Sequence, residues 1–271
     1  MPHRIAIGSE EHRQLFCRVF IDTHERYDPE GLPWPKMDEE GLARLRFLPF
    51  WSEAVATEVN TAAKITALGR AEPDPLLREA IELQGHEEAR HAKLLALMAE
   101  RYRLPVDAAP PDPLPRDLEG GFVRTEYGEC FDSFFAFGLF HFARESGFFP
   151  PPLVAIFEPI VQEEARHVLF FANWVAYRRK QLPFLRQPAH WLRRGFALLL
   201  QAWRRVETAR GIETGDFAMT GHRAIDASIS PRAFLDICLR ENDRRLGRYD
   251  ARLLRPALVP AIVRLVRPFL R

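Results

Sequence analysis

Apolar positions recur at helical spacing along most of the chain. Between Met37 and Leu68, the residues Trp51, Val55, Glu58, Ala62 and Ile65 share one stripe, which predicts a helix whose buried face carries a single charge, Glu58. Gly69, Pro73 and Pro75 end that helix and begin a second, over about 75–101, striped by Leu77, Ile81, Gln84, Glu88, His91, Leu95 and Met98. The short connection implies that the two are antiparallel neighbours. From Leu104 to Arg116, prolines at 105, 110, 111, 113 and 115 exclude regular structure and leave a segment long enough to cross from one end of a bundle to the other. A third helix, over about 120–146, places Phe122, Glu126, Glu129, Ser133, Ala136 and Phe140 on one stripe, so two glutamates compete for the inward position. After Gly147 and Pro150–Pro152, a fourth helix runs to about Arg179, with Leu153, Phe157, Ile160, Glu164, His167, Phe171 and Trp174 on one face.

Outside this core, a short helix is expected over Glu10–Ile21, followed by a turn-rich piece from Asp28 to Pro35. Helical patterns also cover about 188–210 and 231–249, with a loop at 211–229 that holds His222. The predicted organisation is all-α: residues 1–180 form a bundle with an N-terminal lead-in and a core at 40–180, and 181–271 form a C-terminal helical extension packed on it. The last stretch, 253–271, is apolar with interspersed arginines. It suits either a peripheral membrane or protein contact, or packing across the bundle as extra helices; three prolines favour the packing reading by breaking any long amphipathic helix.

Composition narrows the function classes. With 38 basic against 37 acidic residues, the net charge of +1 argues against a nucleic-acid partner. Three separated cysteines, Cys17, Cys130 and Cys238, disfavour a disulfide framework and fit a reducing compartment. The N-terminus carries charges where a signal peptide needs an apolar run, and no stretch reaches the length of a spanning helix, so a cytoplasmic location is expected.

The chemistry is written twice. Glu87-Glu88-Ala89-Arg90-His91 returns as Glu163-Glu164-Ala165-Arg166-His167, and in each copy a Glu and a His three residues apart leave the same face of a helix. One such pair is commonly a solvated surface feature. Two copies inside apolar stripes, each preceded by an inward Glu about one helix earlier, form a converging set: Glu58, Glu88, His91, Glu129, Glu164 and His167. Four carboxylates and two imidazoles offer donors suited to two iron or manganese ions, and four buried anions without metal would be heavily penalised.

At these residues the chain resembles the ferritin-like di-iron carboxylate superfamily, whose pattern is Glu, Glu-x-x-His, Glu, Glu-x-x-His. The repeated phrase is similar to the Asp-Glu-x-Arg-His form of the O2-activating members, with Glu in place of the usual Asp. The resemblance implies a four-helix bundle with a long crossover, and an outer layer of hydrogen bonds from Glu87, Arg90, Glu163 and Arg166 that fixes the imidazole tautomers. It favours Glu129 over Glu126 as the ligand and leaves Glu126, His141 and Glu145 as alternatives. It also places Ser133 where the monooxygenase hydroxylases carry a hydroxyl residue, a position for handling O2 or protons. Leu95 stands where ribonucleotide reductase small subunits carry their radical-forming Tyr, which excludes a stable tyrosyl radical there. The implied activity is oxidation of a small apolar or aromatic molecule by O2 at an Fe/Fe or Mn/Fe pair lined by Phe134, Phe137, Phe140, Phe171 and Trp174. An external electron donor and a homodimer are further expectations. Competing readings are an iron-handling ferroxidase, a peroxide-scavenging ferritin-like protein and a Mn/Fe ligand-binding oxidase.

Overall fold

The computed structural model describes residues 5–48, 50–107, 110–188 and 229–270, together with positions 192, 195, 196, 198–201 and 203. Among the described residues every regular element is a helix: α1 (Glu10–Asp22), α2 (Glu39–Phe47), α3 (Trp51–Ala71), α4 (Pro75–Tyr102), α5 (Leu118–Ser146), α6 (Pro151–Ile156), α7 (Glu158–Gln181), α8 (Pro231–Leu246) and α9 (Leu258–Val266). Short 3-10 turns cover Pro29–Gly31, Phe184–Arg186 and Arg267–Phe269. No helix among these residues is long and apolar enough to cross a membrane.

Helix starts are set by local chemistry. The Asp74 carboxylate accepts from the Leu76 and Leu77 N–H groups, both at 3.0 Å, and Pro75 supplies the fixed φ of a first helical residue. Asp117 caps α5 through the Gly120 N–H at 2.9 Å, and Ser230 caps α8 through Ala233 at 3.2 Å. At the other end of α5, Gly147 adopts φ 65°, a left-handed conformation that suits glycine.

Two predicted helices are each divided. The expected helix from Met37 to Leu68 is α2 and α3, because Leu48 precedes Pro49 and is extended at φ −72°, ψ 123°. The expected fourth helix is α6 and α7. Pro159 offers no N–H to the carbonyl of Ala155, and the chain turns at Phe157 before α7 begins. The predicted helix at 231–249 is α8. The pattern at 188–210 lies largely outside the described residues, and the loop with His222 lies almost wholly outside them.

Helix α3 packs on α4, α4 on α7, α7 on α5 and α5 on α3, so these four close a ring. Their directions follow from the proline-rich connection, which runs beside α3: the Asp107 N–H donates to Ser52 Oγ at 2.8 Å, and the Asp112 N–H donates to Asn60 Oδ1 at 2.8 Å. It thus returns to the end where α4 starts, and α5 runs parallel to α4. The apolar clusters agree. The ends of α3 and α7 (Leu68, Trp174) pack with the starts of α4 and α5 (Leu77, Phe122), whereas Trp51, Leu95, Met98 and Leu153 pack together at the opposite end. The phrase-bearing positions fall between these two apolar layers.

The terminal segments are fastened to the ring. Helix α1 lies on α4 and α7, while α8 covers the outer face of α5. Asn173 on α7 is fully buried and ties both termini. Its Oδ1 accepts from His12 Nε2 (3.1 Å) and the Leu254 N–H (2.9 Å), and its Nδ2 donates to the Leu169 and Leu254 carbonyls. His12 Nδ1 in turn accepts from the Gly8 N–H, and burial lowers the pKa of His12, which keeps it neutral. Replacing Asn173 with Ala leaves several buried groups without partners and is expected to lower stability by about 3 kcal/mol, read from urea unfolding.

Candidate metal centre

Close approach of α3 to α4 brings Glu58 to the repeated phrase. Gly85 permits it, since a Cβ there would stand 2.6 Å from Thr66 Oγ1 and 3.1 Å from the Thr66 nitrogen. Glu58, Glu88, His91 and Glu164 each offer a ligand atom, and these atoms all lie within 4.8 Å of one another. His91 Nδ1 is 3.2 Å from Glu164 Oε1 and 3.6 Å from both Glu58 Oε2 and Glu88 Oε2. His167 closes the group from α7, with Nδ1 3.0 Å from Glu88 Oε1 and 3.7 Å from Glu164 Oε1. The two rings lie with centroids 5.7 Å apart.

Behind each imidazole stands the first glutamate of the other copy of the phrase. His91 Nε2 donates to Glu163 Oε2 at 2.8 Å, and His167 Nε2 donates to Glu87 Oε2 at 2.8 Å. Arg90 pairs with Glu163 and Arg166 with Glu87, again across the α4–α7 contact. Each guanidinium also donates to a carbonyl near α1: Arg90 to Glu25 and Arg166 to Phe20, both at 3.0 Å. The extra methylene of Glu relative to Asp therefore still reaches the imidazole. Burial opposes ionisation of Glu87, but the hydrogen bond from His167 and the charges of His167 and Arg166 outweigh it and bring its pKa down to about 2.

Two supporting residues come from the lead-in after α1, where no motif marks them. His24 Nδ1 pairs with Glu87 Oε1, and the Tyr27 hydroxyl donates to Glu163 Oε2 at 3.2 Å under the Arg90 guanidinium, 4.0 Å from its ring centroid. Burial raises Tyr27 to about 12, so it remains a donor. Neither carries a spacing or motif signal in the sequence, where the lead-in is expected only as part of the bundle. His24, Glu87 and Glu163 also form a tight donor group, but Arg90 and Arg166 already supply positive charge to its carboxylates.

Helix α5 contributes two glutamates at the edge of the tight group, Glu126 fully buried and Glu129 half-buried. Glu126 accepts from the Gln84 amide at 2.8 Å through Oε1, while its Oε2 has no hydrogen-bond partner. Burial, then the negative charge of Glu88, raises its pKa well above the carboxylate range. Glu129 is raised by burial and then by Glu164 and Glu88, so it faces the same anions. The Ser133 hydroxyl lies 3.4 Å from Glu164 Oε2 as a donor. His141 and Glu145 are engaged elsewhere: His141 Nδ1 is 3.3 Å from Glu241 on α8, and Glu145 pairs with Arg144. His86 is exposed on α4.

The electrostatics leave the centre unbalanced as a purely protein structure. Burial disfavours charge on the imidazoles, yet the surrounding carboxylates raise the pKa of both His91 and His167 well above the ordinary range. Glu58 is pushed up to about 8 by burial despite its contact with His91. With both Nε2 protons committed to Glu163 and Glu87, His91 Nδ1 and His167 Nδ1 point at carboxylate oxygens yet neither makes a hydrogen bond, and Glu88 Oε1 is likewise without a partner. The raised pKa values mean that the carboxylates hold a second proton on each imidazole, and a cation among the same oxygens would displace those protons and leave each Nδ1 as a neutral donor. The donor set fits a metal.

A cavity of about 110 Å³ is lined by Cys130, Phe134, Phe137, Val168 and Phe171, together with Leu198 and residues 256–260; it includes the chain neighbours of Glu129 and His167 but none of the candidate ligands. Of the aromatic residues expected to line an apolar pocket, Phe134, Phe137 and Phe171 do so. Phe140 lies instead under Arg245, 5.4 Å from its ring centroid, and Trp174 is fully buried in the core. No protein-family model matches the chain, and neither does any curated protein or solved structure.

Proposed function

We propose that the chain is a ferritin-like di-iron carboxylate oxygenase that uses O2 to oxidise a small apolar or aromatic molecule. One observation carries the reading: two buried histidines, each held at Nε2 by a glutamate from the opposite helix, aim partnerless Nδ1 atoms at the same carboxylates. The ring of contacts among α3, α4, α5 and α7, with a long crossover in its middle, supports the ferritin-like four-helix arrangement.

Glu58, Glu88, His91, Glu129, Glu164 and His167 would hold two iron ions, or one manganese and one iron. The metals supply the electron exchange with O2 that amino-acid side chains do not provide. The rest is done by the chain. Glu87 and Glu163 hold the Nε2 protons, which directs Nδ1 inward; Arg166 helps keep Glu87 ionised, and Arg90 pairs with Glu163. Ser133 Oγ holds a proton 3.4 Å from Glu164 Oε2, where it can be passed to a group bound beside that carboxylate. The aromatic cavity, lined by the chain neighbours of Glu129 and His167, would take up an apolar substrate.

The test uses chelator-treated protein. Anaerobic addition of Fe(II) is expected to saturate at about two ions per chain and to stabilise the fold by about 2.7 kcal/mol at a hundredfold excess over Kd. Admission of O2 should then change the visible spectrum. An unchanged melting temperature with no retained iron overturns the metal reading, and a hollow shell that accumulates many irons per chain replaces oxygenation with storage.

A further inference from the structure

The structure points to a second function for the C-terminal third: we propose that it forms a face that docks on anionic lipid surfaces. In α9 and the 3-10 turn that continues it, Leu258, Ile262, Leu265, Val266 and Phe269 are 40–82% exposed, and their spacing of 4, 7, 8 and 11 residues from the first is that of one helical face. The adjoining face of α9, through Val259 and Val263, packs in the apolar cluster with Phe234, Cys238 and Leu239 of α8. The helical positions described between 192 and 203 repeat the arrangement. Leu192, Phe196, Leu199, Leu200 and Trp203 have the same spacing and are 38–76% exposed, while Leu198 packs inward against the cluster that holds Val259 and Val263. Leu198 and Leu258–Pro260 line one cavity, so the two stripes are neighbours. At the start of this region, Phe184 and Leu185 are 82% and 88% exposed. Apolar side chains displayed in this number and periodicity exceed the scattered exposure normal for a surface.

Charge selects the occupant. Residues 178–205 contain eight Lys or Arg and no Asp or Glu, and residues 251–271 contain five and none, in a chain whose net charge is only +1. Thirteen of the 38 basic residues thus fall in the two sequence stretches that carry the apolar stripes. Several are engaged by neighbouring groups: Arg178 pairs with Glu119, Arg252 with Asp250, Arg264 with Asp243 and Arg267 with Asp236, and Arg255 donates to the Tyr249 and Asp250 carbonyls. These pairs are solvent-accessible and weak, and they leave the local excess positive. A second copy of the chain on this face would bring two basic surfaces together, whereas an anionic bilayer satisfies both the arginines and the apolar stripe. Helices of this length lie in the interface and do not span it.

The test is co-sedimentation of the intact chain with vesicles of phosphatidylcholine alone or with about one part in four phosphatidylglycerol. Binding to the anionic vesicles is expected to be roughly tenfold tighter and to weaken as sodium chloride is raised. A variant with Phe196, Leu199, Leu265 and Phe269 changed to Ser removes only solvent-facing apolar groups. It should keep the wild-type circular dichroism and lose roughly tenfold in vesicle affinity. Failure to sediment with anionic vesicles overturns the proposal. So does unchanged binding by the variant, or a wild-type dimer that the variant dissolves without any vesicle binding. The lipid assay is independent of iron, so its outcome stands apart from that of the metal centre.

Discussion

Iron bound by the chain is expected to fall from about two ions to below one when either His91 or His167 is replaced by Ala, as measured by plasma mass spectrometry on desalted protein. Each substitution removes a nitrogen donor that is fully buried and already aimed at Glu58, Glu88 and Glu164. Each also leaves a glutamate of the outer layer, Glu163 or Glu87, without its imidazole partner. With one imidazole fewer, the remaining set is harder, more carboxylate-dominated and more hydrated, so both affinity and selectivity should drop. Replacing exposed His86 with Ala is the matched control and should leave the stoichiometry unchanged. Wild-type iron content in both variants would remove the basis for the di-iron assignment.

The second large effect concerns the crossed supports. Changing Glu87 to Ala is expected to cost about 3–5 kcal/mol of stability in the metal-free chain, because it strands the Arg166 guanidinium and the His167 Nε2 proton in the interior. Glu87→Gln keeps the shape and the acceptor oxygen but loses the charge, and should retain part of that stability while weakening metal binding by about 10–100-fold. A double variant that also changes Arg166 to Met removes the stranded cation and should recover much of the loss. Urea unfolding of the single and double variants measures the coupling directly. Additive losses would mean that the Glu87–Arg166 contact carries no coupling energy.

These supports also show where sequence reasoning stops. Both Glu-x-x-His pairs, and their inward direction, are legible from spacing alone, because a helix places residues three apart on one face whatever surrounds it. Helix breaks at Leu48 and Phe157 were marked by Pro49 and Pro159, but the amphipathic pattern runs straight through both positions and conceals them. His24 and Tyr27 have no periodic or motif signature at all. They reach Glu87 and Glu163 only because α1 lies across α4 and α7, which places the loop that follows it over the back of the phrase.

By itself the sequence determined the helical class, the antiparallel connection of α3 to α4, and a donor set whose burial demands positive charge. Those follow from local periodicity and from the cost of burying anions, neither of which depends on how distant segments meet. Only the tertiary structure decided that Glu87 serves His167 and Glu163 serves His91, a crossing that spacing within one helix cannot encode. It also decided which apolar stripes are covered. The stripe of α4 and the stripe of α9 look alike along the chain, yet one is enclosed by three other helices and the other is turned outward beside a concentration of arginines. Burial is a property of the assembled surface, and the same pattern builds a core or a docking face according to what the rest of the chain leaves free to cover it.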